Sequence, residues 1–146
     1  MKYFFALGAI ASLCQSACAL NSGTYTIASA NTDAEVLTGQ HPDVPLTFVE
    51  FDGNPGQIWT FNQAEGDYFD VRNNQGLYIN CQQQGPRTCY PGETPQKFIP
   101  EFQGGTNYEL VAQGSGLLLR LADDGTLQLA EYDQSINEQF SLKQTQ

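Results

Sequence analysis

The sequence predicts an all-β fold in which three four-stranded repeats surround a pseudo-threefold axis. Three tyrosines, each in an alternating strand pattern, recur 43 and 40 residues apart, at Tyr25, Tyr68 and Tyr108. Each third of the chain closes on a further aromatic residue. No segment shows sustained helical periodicity with capping residues at both ends. Because one four-stranded unit cannot bury its apolar face alone, the three units should share a single core.

The strands between these markers follow a common order. A second strand is predicted at 35–38, 76–80 and 116–121, and Asp124-Gly125 is a strong hairpin signal after the last of these. The closing aromatic residues are Trp59, Phe98 and Phe140, and each has another aromatic residue eight positions before it: Phe51, Tyr90 and Tyr132. Twelve strands in this order form a β-trefoil. We expect the tyrosines and the closing aromatic residues to form layers of its core.

The first nineteen residues have the features of a secretory signal peptide. Lys2 supplies a positive start, residues 3–13 are almost wholly apolar, and Ala17-Cys18-Ala19 is a small-residue cleavage site. Cleavage there predicts one mature domain at 20–146, with repeats at about 22–63, 64–103 and 104–146. No later segment has the roughly twenty apolar residues of a transmembrane helix. The sequence therefore predicts a secreted, extracellular protein without membrane insertion.

The charge of the predicted mature chain argues against nucleic acid as a partner. Loss of Lys2 changes the formal net charge from −10 to −11, which leaves 16 acidic residues and five basic ones. Such a surface repels phosphate backbones and anionic membranes. The basic residues form no cluster in the sequence; they are Arg72, Arg87, Lys97, Arg120 and Lys143. We interpret the acidity mainly as a feature that keeps an extracellular protein soluble.

Two of the four cysteines remain after the signal peptide is removed. Cys81 and Cys89 each lie four residues from Gly85, so a hairpin that turns at Gly85-Pro86 places them opposite each other. Facing positions on antiparallel strands are at disulfide distance. In an oxidising compartment we predict one Cys81–Cys89 bridge.

The ends of the three repeats resemble a known motif. Gln57-Ile58-Trp59, Gln96-Lys97-Phe98 and Asn137-Glu138-Gln139-Phe140 resemble the Q-x-W motif that closes each repeat of the ricin B-type β-trefoil lectins. The resemblance covers the whole predicted mature chain. It implies a sugar site made from an aspartate in the second strand, an aromatic platform near the end of the third strand, and an asparagine three residues before the closing aromatic residue.

Few of these implied sugar-binding groups are present. The aspartate position falls on Thr38, Asn80 and Arg120. The platform position, counted back from the earlier aromatic residue of each pair, falls on Val49, Thr88 and Ala130. The asparagine position falls on Gly56, Pro95 and Asn137. Asn80 keeps an acceptor and Asn137 keeps the asparagine, but no repeat has the complete set.

Two sets of aromatic, amide and acidic residues beside the loops are the candidate ligand-binding residues. They are Asn80, Gln82 and Tyr90 in the second repeat and Tyr132, Asp133 and Asn137 in the third. The first functional hypothesis is non-catalytic carbohydrate binding through these residues. The second is a protease inhibitor or a secreted effector that binds a host protein through the loop at 40–47. The alternative interpretation of the six residues is that they only close the hairpins.

The residue types that perform chemistry are sparse. The single histidine, His41, lies in a loop, and both mature cysteines are expected in the bridge. Four aspartates near turns are interpreted as turn-forming; they are Asp52, Asp123, Asp124 and Asp133. No zinc, calcium or nucleotide motif occurs. We therefore predict no catalytic residue, no metal and no cofactor. Enzymatic activity is the third hypothesis, after carbohydrate binding and protein binding.

Overall fold

The computed structural model describes residues 19–32 and 34–145, and no α-helix occurs in these ranges. The strands are β1 Gly23–Ser29, β2 Glu35–Thr38, β3 Thr47–Glu50, β4 Trp59–Gln63, β5 Phe69–Asn73, β6 Tyr78–Cys81, β7 Cys89–Gly92, β8 Lys97–Gly104, β9 Asn107–Ala112, β10 Leu118–Leu121, β11 Leu127–Ala130 and β12 Phe140–Gln144. Short 3₁₀ turns, Pro55–Gln57 and Ile136–Glu138, precede β4 and β12. The predicted signal peptide, apart from Ala19, lies outside the described residues. Among those described, no helix has the length and apolar character needed to cross a membrane.

Six strands form a closed barrel. The antiparallel pairs run in a ring: β1 with β4, β4 with β5, β5 with β8, β8 with β9, β9 with β12, and β12 with β1. The remaining strands form three hairpins, β2–β3, β6–β7 and β10–β11. Each third of the chain thus contributes two barrel strands and one hairpin. This arrangement confirms the prediction of an all-β trefoil with pseudo-threefold symmetry.

The closing aromatic residues occupy equivalent places in the barrel core. Trp59, Phe98 and Phe140 have no exposed area. They lie opposite three further aromatic residues in the strand register, namely Tyr25, Phe69 and Tyr108. Of the six positions predicted to form the core, the three tyrosines and the three closing aromatic residues, five are confirmed.

The exception is the tyrosine of the second repeat. Tyr68 is half-buried and precedes β5, while Phe69 is 5% exposed and faces the core. Successive side chains in a strand point to opposite faces, and the polar residues Asp70 and Arg72 show which face is outside. The equivalence of Tyr68 with Tyr25 was therefore one residue out of register.

A bridge between Cys81 and Cys89 joins β6 to β7, as predicted. Cys89 has no exposed area and packs in the same core cluster as Leu46 and Leu127. Leu46 and Leu127 precede β3 and begin β11, and backbone hydrogen bonds run from Leu46 N to Cys89 O at 2.9 Å and from Leu127 N to Leu46 O at 3.0 Å. The three hairpins therefore meet where the bridge lies.

Candidate functional site

In each repeat, the residue two positions before the closing aromatic residue has a polar side chain. This side chain holds the connection that follows the hairpin. In the first repeat this is Gln57, which has no exposed area. Its Oε1 accepts hydrogen bonds from the N–H groups of Asp52 and Gly53, at 2.9 and 3.1 Å. Its Nε2 donates to Thr38 Oγ1 and to the carbonyl of Glu50, at 3.2 and 2.9 Å. One buried amide thus fixes the whole connection from β3 to β4.

The third repeat has a carboxylate, Glu138, in the same role. Both of its oxygens lie 3.2 Å from the N–H of Asp133, and the side chain has no exposed area. Arg120 Nη1 is 3.9 Å from one of these oxygens and donates a 2.6 Å hydrogen bond to Asp133 Oδ2. Arg120 stands where the first repeat has Thr38, so the buried acid is matched by a cation that the first repeat lacks.

The connection that follows the hairpin is shorter in the second repeat. In each hairpin, one buried residue of the second arm pairs with the first arm: Phe48, Pro91 and Leu129 in repeats one, two and three. The closing aromatic residue of the repeat follows 11 positions later in repeats one and three, but only 7 positions later in repeat two. Because four residues are missing, the second repeat has no 3₁₀ turn, and Gln96 instead accepts a 2.9 Å hydrogen bond from the N–H of Cys81.

This difference corrects two assignments in the second repeat. Tyr90 lies opposite Asn80 within the hairpin, whereas Phe51 and Tyr132 lie beyond the ends of β3 and β11. The platform position that corresponds to Val49 and Ala130 is therefore Gly92, not Thr88. Tyr90 and Phe98 have the same eight-residue spacing as the aromatic pairs of the other repeats, so the sequence alone did not reveal the four-residue deletion.

Repeats one and three correspond closely in the segment that resembles a sugar site. Asp52 and Asp133 each accept a hydrogen bond from the N–H two residues later, at 3.0 and 2.9 Å. Those residues, Asn54 and Ser135, cap the 3₁₀ turns through their side chains. Because the two segments have the same geometry, the first repeat can be compared with the third residue by residue.

In the first repeat, the position that corresponds to Asn137 is closed by a contact between two glycines. Gly56 occupies the place of Asn137, and a Cβ added to Gly56 would lie 2.5 Å from the carbonyl oxygen of Gly39. Gly39 also donates its N–H to Gly56 O at 3.0 Å, and its carbonyl accepts from Asn73 Nδ2 at 2.9 Å. The backbone of Gly39 therefore fills the space that a side chain would need.

In the third repeat this position carries the side chain of Asn137, and exposed residues surround it. Tyr132 is 56% exposed and Ile136 is 46% exposed, with Asp133 between them in sequence. Asn137 is half-buried, and its Oδ1 accepts a 3.3 Å hydrogen bond from Asn31 Nδ2. We name Arg120, Tyr132, Asp133, Ile136 and Asn137 the repeat-three surface. It contains three of the six sequence-predicted site residues, and Arg120 and Ile136 were not among those six.

The two carboxyl groups beside Arg120 have pKa values shifted in opposite directions. Desolvation raises the pKa of Glu138, and the neighbouring Asp133 carboxylate adds to that effect. For Asp133, some desolvation is outweighed by the hydrogen bonds from Arg120 and the Ser135 N–H, so its pKa is lowered. Asp133 is thus held as a carboxylate at neutral pH and can accept hydrogen bonds from a ligand.

The other three predicted site residues lie on the disulfide-linked hairpin. Asn80 Nδ2 donates to the carbonyl of Thr94 at 2.8 Å, so this amide holds its own connection to β8. Tyr90 is half-buried opposite Asn80, and exposed Gln82 donates its N–H to Thr88 O at 3.1 Å. These residues close the hairpin in the structure, and their predicted contact with a ligand stays a prediction.

The disulfide-linked hairpin lies beside the repeat-three surface. Thr88 forms a bridge with Gln128 of β11, and Gln128 lies opposite Arg120 of β10. The hairpin that carries the first predicted set is thus adjacent to β11, and the second predicted set follows β11 in the chain. Sequence spacing gave no signal for this contact, because it joins segments about forty residues apart.

The remaining polar candidates serve turns or lie in loops. Asp124 Oδ1 accepts hydrogen bonds from the N–H and the hydroxyl of Thr126, at 3.0 and 2.6 Å, which lower the pKa of Asp124. His41 is exposed in the loop before β3. Within 19–32 and 34–145, no three His, Cys, Asp or Glu side chains converge as a metal site requires.

Solved structures similar to this one identify the fold. The agglutinin of Rhizoctonia solani matches with a TM-score of 0.75 at 16% identity, over 86% of this chain and 97% of that one. The fold is that of the ricin B-type β-trefoil lectins. The ricin B-like lectin of Macrolepiota procera, in complex with lactose, also has a TM-score of 0.75, at 16% identity, over 86% of this chain and 99% of its own.

A designed threefold-symmetric protein, ThreeFoil, has the same β-trefoil fold. Its TM-score is 0.75 at 15% identity, over 84% of this chain and 99% of that chain. No protein-family model and no curated protein sequence matches the chain. The resemblance drawn from the Q-x-W-like segments is confirmed at the level of the fold.

Proposed function

We propose that this protein is a secreted, non-catalytic carbohydrate-binding module whose principal glycan site is the repeat-three surface. The observation that carries the proposal is the exposed cluster of Tyr132 and Asp133 beside Asn137, whose side chain stands at a position that Gly39 keeps closed in the first repeat. The lectins of the same fold support it, since one of them is in complex with lactose.

The chemistry of the cluster suits a sugar. An exposed aromatic ring packs against the C–H face of a pyranose, and a few oriented polar groups fix the hydroxyls. Asp133 supplies acceptor oxygens whose position is set by Arg120 and Ser135. Asn137 supplies an amide donor. Because hydrogen bonds from Arg120 and the Ser135 N–H already hold the Asp133 carboxylate, a ligand loses little free energy in ordering this group.

A glycan array with matched variants tests the proposal. Tyr132→Ala and Asn137→Ala should each weaken binding at least tenfold while circular dichroism and the urea midpoint stay close to wild type. Phe51→Ala is the matched control, because Phe51 is 49% exposed at the corresponding position of the first repeat. Asn80→Ala measures any contribution from the second repeat. Silence of the wild type across a broad array, or equal losses for Tyr132→Ala and Phe51→Ala, would overturn the proposal.

A second candidate function is protein binding through the loop at 40–47. Val44 is 52% exposed there, between two prolines, and its N–H donates to His41 O at 3.1 Å. A loop that is ordered before binding loses less free energy when it binds a partner. Inhibition of representative serine and cysteine proteases at micromolar concentration, lost in Val44→Asp, would support this function. No inhibition at that concentration would exclude the protease-inhibitor version.

A further inference from the structure

Arg87, at the end of the disulfide-linked hairpin, has a backbone conformation that disfavours its side chain. Its φ is +56°, in the left-handed region that glycine adopts without cost and arginine does not. Nearby Gly85 has φ +67°, where glycine is the expected residue. A residue kept in such a conformation without local benefit is a reason to look for a function.

The side chain of Arg87 is also left without partners. The residue is half-buried, and its Nε is covered yet has no hydrogen-bond acceptor. No ion pair within the described part of the chain involves Arg87, although the protein has 16 acidic residues; Lys97 and Arg120, in contrast, pair with carboxylates. An unpaired donor on a charged, partly desolvated group is unfavourable.

The backbone around Arg87 is firmly held by other groups. The Cys81–Cys89 bridge lies two residues away. Arg87 O accepts a 3.0 Å hydrogen bond from the N–H of Leu129, and Arg87 N donates to Gln84 O at 3.4 Å. The hairpin is therefore fixed without any contribution from the guanidinium group. The Arg87 side chain is therefore available to bind a ligand.

Arg87 also lies beside β11, the strand that leads into the repeat-three surface. The following residue, Thr88, bridges to Gln128, which lies opposite Arg120. Arg120 is already neutralised by Asp133 at 2.6 Å. Arg87 is thus the uncommitted cation at the border of the proposed glycan site.

We infer that Arg87 binds the carboxylate of an acidic saccharide seated on the repeat-three surface. The inference rests on the proposed carbohydrate-binding function and names the class of sugar. A guanidinium group matches a carboxylate through two parallel N–H···O bonds. Binding requires the side chain to rotate out of its half-buried position, and it gives the unpaired Nε an acceptor. Relief of an unfavourable unbound state then adds to the affinity.

Paired ligands and paired arginine variants test this inference. Wild type should bind sialyllactose at least tenfold more tightly than lactose. Arg87→Gln should remove that difference while lactose binding stays within twofold of wild type, and Arg87→Lys should restore it only in part. Arg72→Gln is the matched control, because exposed Arg72 on β5 loses the same charge away from the site. Equal affinities of the wild type for the two sugars would overturn the inference and leave the proposed function standing.

A stability measurement separates a binding role from a structural one. Arg87→Gln keeps the backbone conformation, so the urea midpoint should stay close to that of wild type while the preference for sialyllactose is lost. A lowered midpoint would show that the side chain supports the fold, which contradicts the inference.

A direct probe keeps the inference testable if the array is silent. N-acetylneuraminic acid should shift the Arg87 Nε–Hε resonance in NMR spectra, and its neutral methyl ester and the Arg72 resonance should show no such shift. A shift together with a silent array would support Arg87 as a carboxylate site and contradict the proposed function. No shift, or equal shifts with acid and ester, would overturn the inference.

Discussion

Replacing Gln57 by alanine should cost a large part of the free energy of unfolding. The side-chain amide makes four hydrogen bonds in a site with no exposed area, two from backbone N–H groups, one to a hydroxyl and one to a backbone carbonyl. At about 1 kcal/mol for each bond, the Gln57→Ala variant loses roughly 4 kcal/mol. Small domains have only about 5–15 kcal/mol in total, so the effect is easily measured.

Urea unfolding followed by tryptophan fluorescence measures this loss, because Trp59 is buried two residues from the substitution. With a slope of about 1.5 kcal/mol per molar urea, the midpoint should fall by roughly 2.7 M. Gln63→Ala is the control: Gln63 is exposed and its side chain makes one hydrogen bond, to Gly66 O at 2.8 Å. A midpoint for Gln57→Ala as close to wild type as that of the control would refute the anchoring role of the amide.

Three further changes test other parts of the structure. Removal of the Cys81–Cys89 bridge by a double alanine substitution should lower the free energy of unfolding by about 2.5 kcal/mol, from the chain entropy of a nine-residue loop, as measured in urea without reductant. Gly56→Ala should lose about 2 kcal/mol, because its Cβ would approach the Gly39 carbonyl oxygen to 2.5 Å; a change below about 0.5 kcal/mol would show that the two loops separate easily. Glu138 has a folded-state pKa raised above its ordinary value of 4.5, so its protonation favours the folded state and that stabilisation is lost as the pH rises through the folded-state pKa. Glu138→Gln should therefore reduce the fall in urea midpoint between pH 4.5 and pH 8, and an unchanged pH profile would contradict the assignment.

The predictions that succeeded rest on repetition and on local geometry. Trp59, Phe98 and Phe140 were identified as core residues because the same position recurs in each third, and a shared core requires equivalent apolar side chains. The disulfide followed from two cysteines placed symmetrically about one turn. The first argument compares the three thirds of the chain, and the second uses residues within one turn; neither requires contacts that exist only after folding.

The assignments that failed are alignments within the second repeat. Tyr68 stood beside the true core residue, Phe69, and the polar alternation of Asp70 and Arg72 was the signal that would have corrected it. Tyr90 matched the aromatic spacing of the other repeats by coincidence, since the connection after β7 is four residues shorter. Spacing along the chain cannot show a deletion when a similar residue fills the expected position.

By itself, the sequence determined that this chain folds as three β repeats with one bridge, because period-two patterning and repeated apolar positions leave few other ways to bury the core. Only the tertiary structure decided how the loop surfaces of the three repeats differ. Gly39 fills the first site, a shortened connection alters the second, and Arg120 with Glu138 supports the third. Those contacts join residues far apart in the chain, and their free energies depend on distances and burial that exist only after folding.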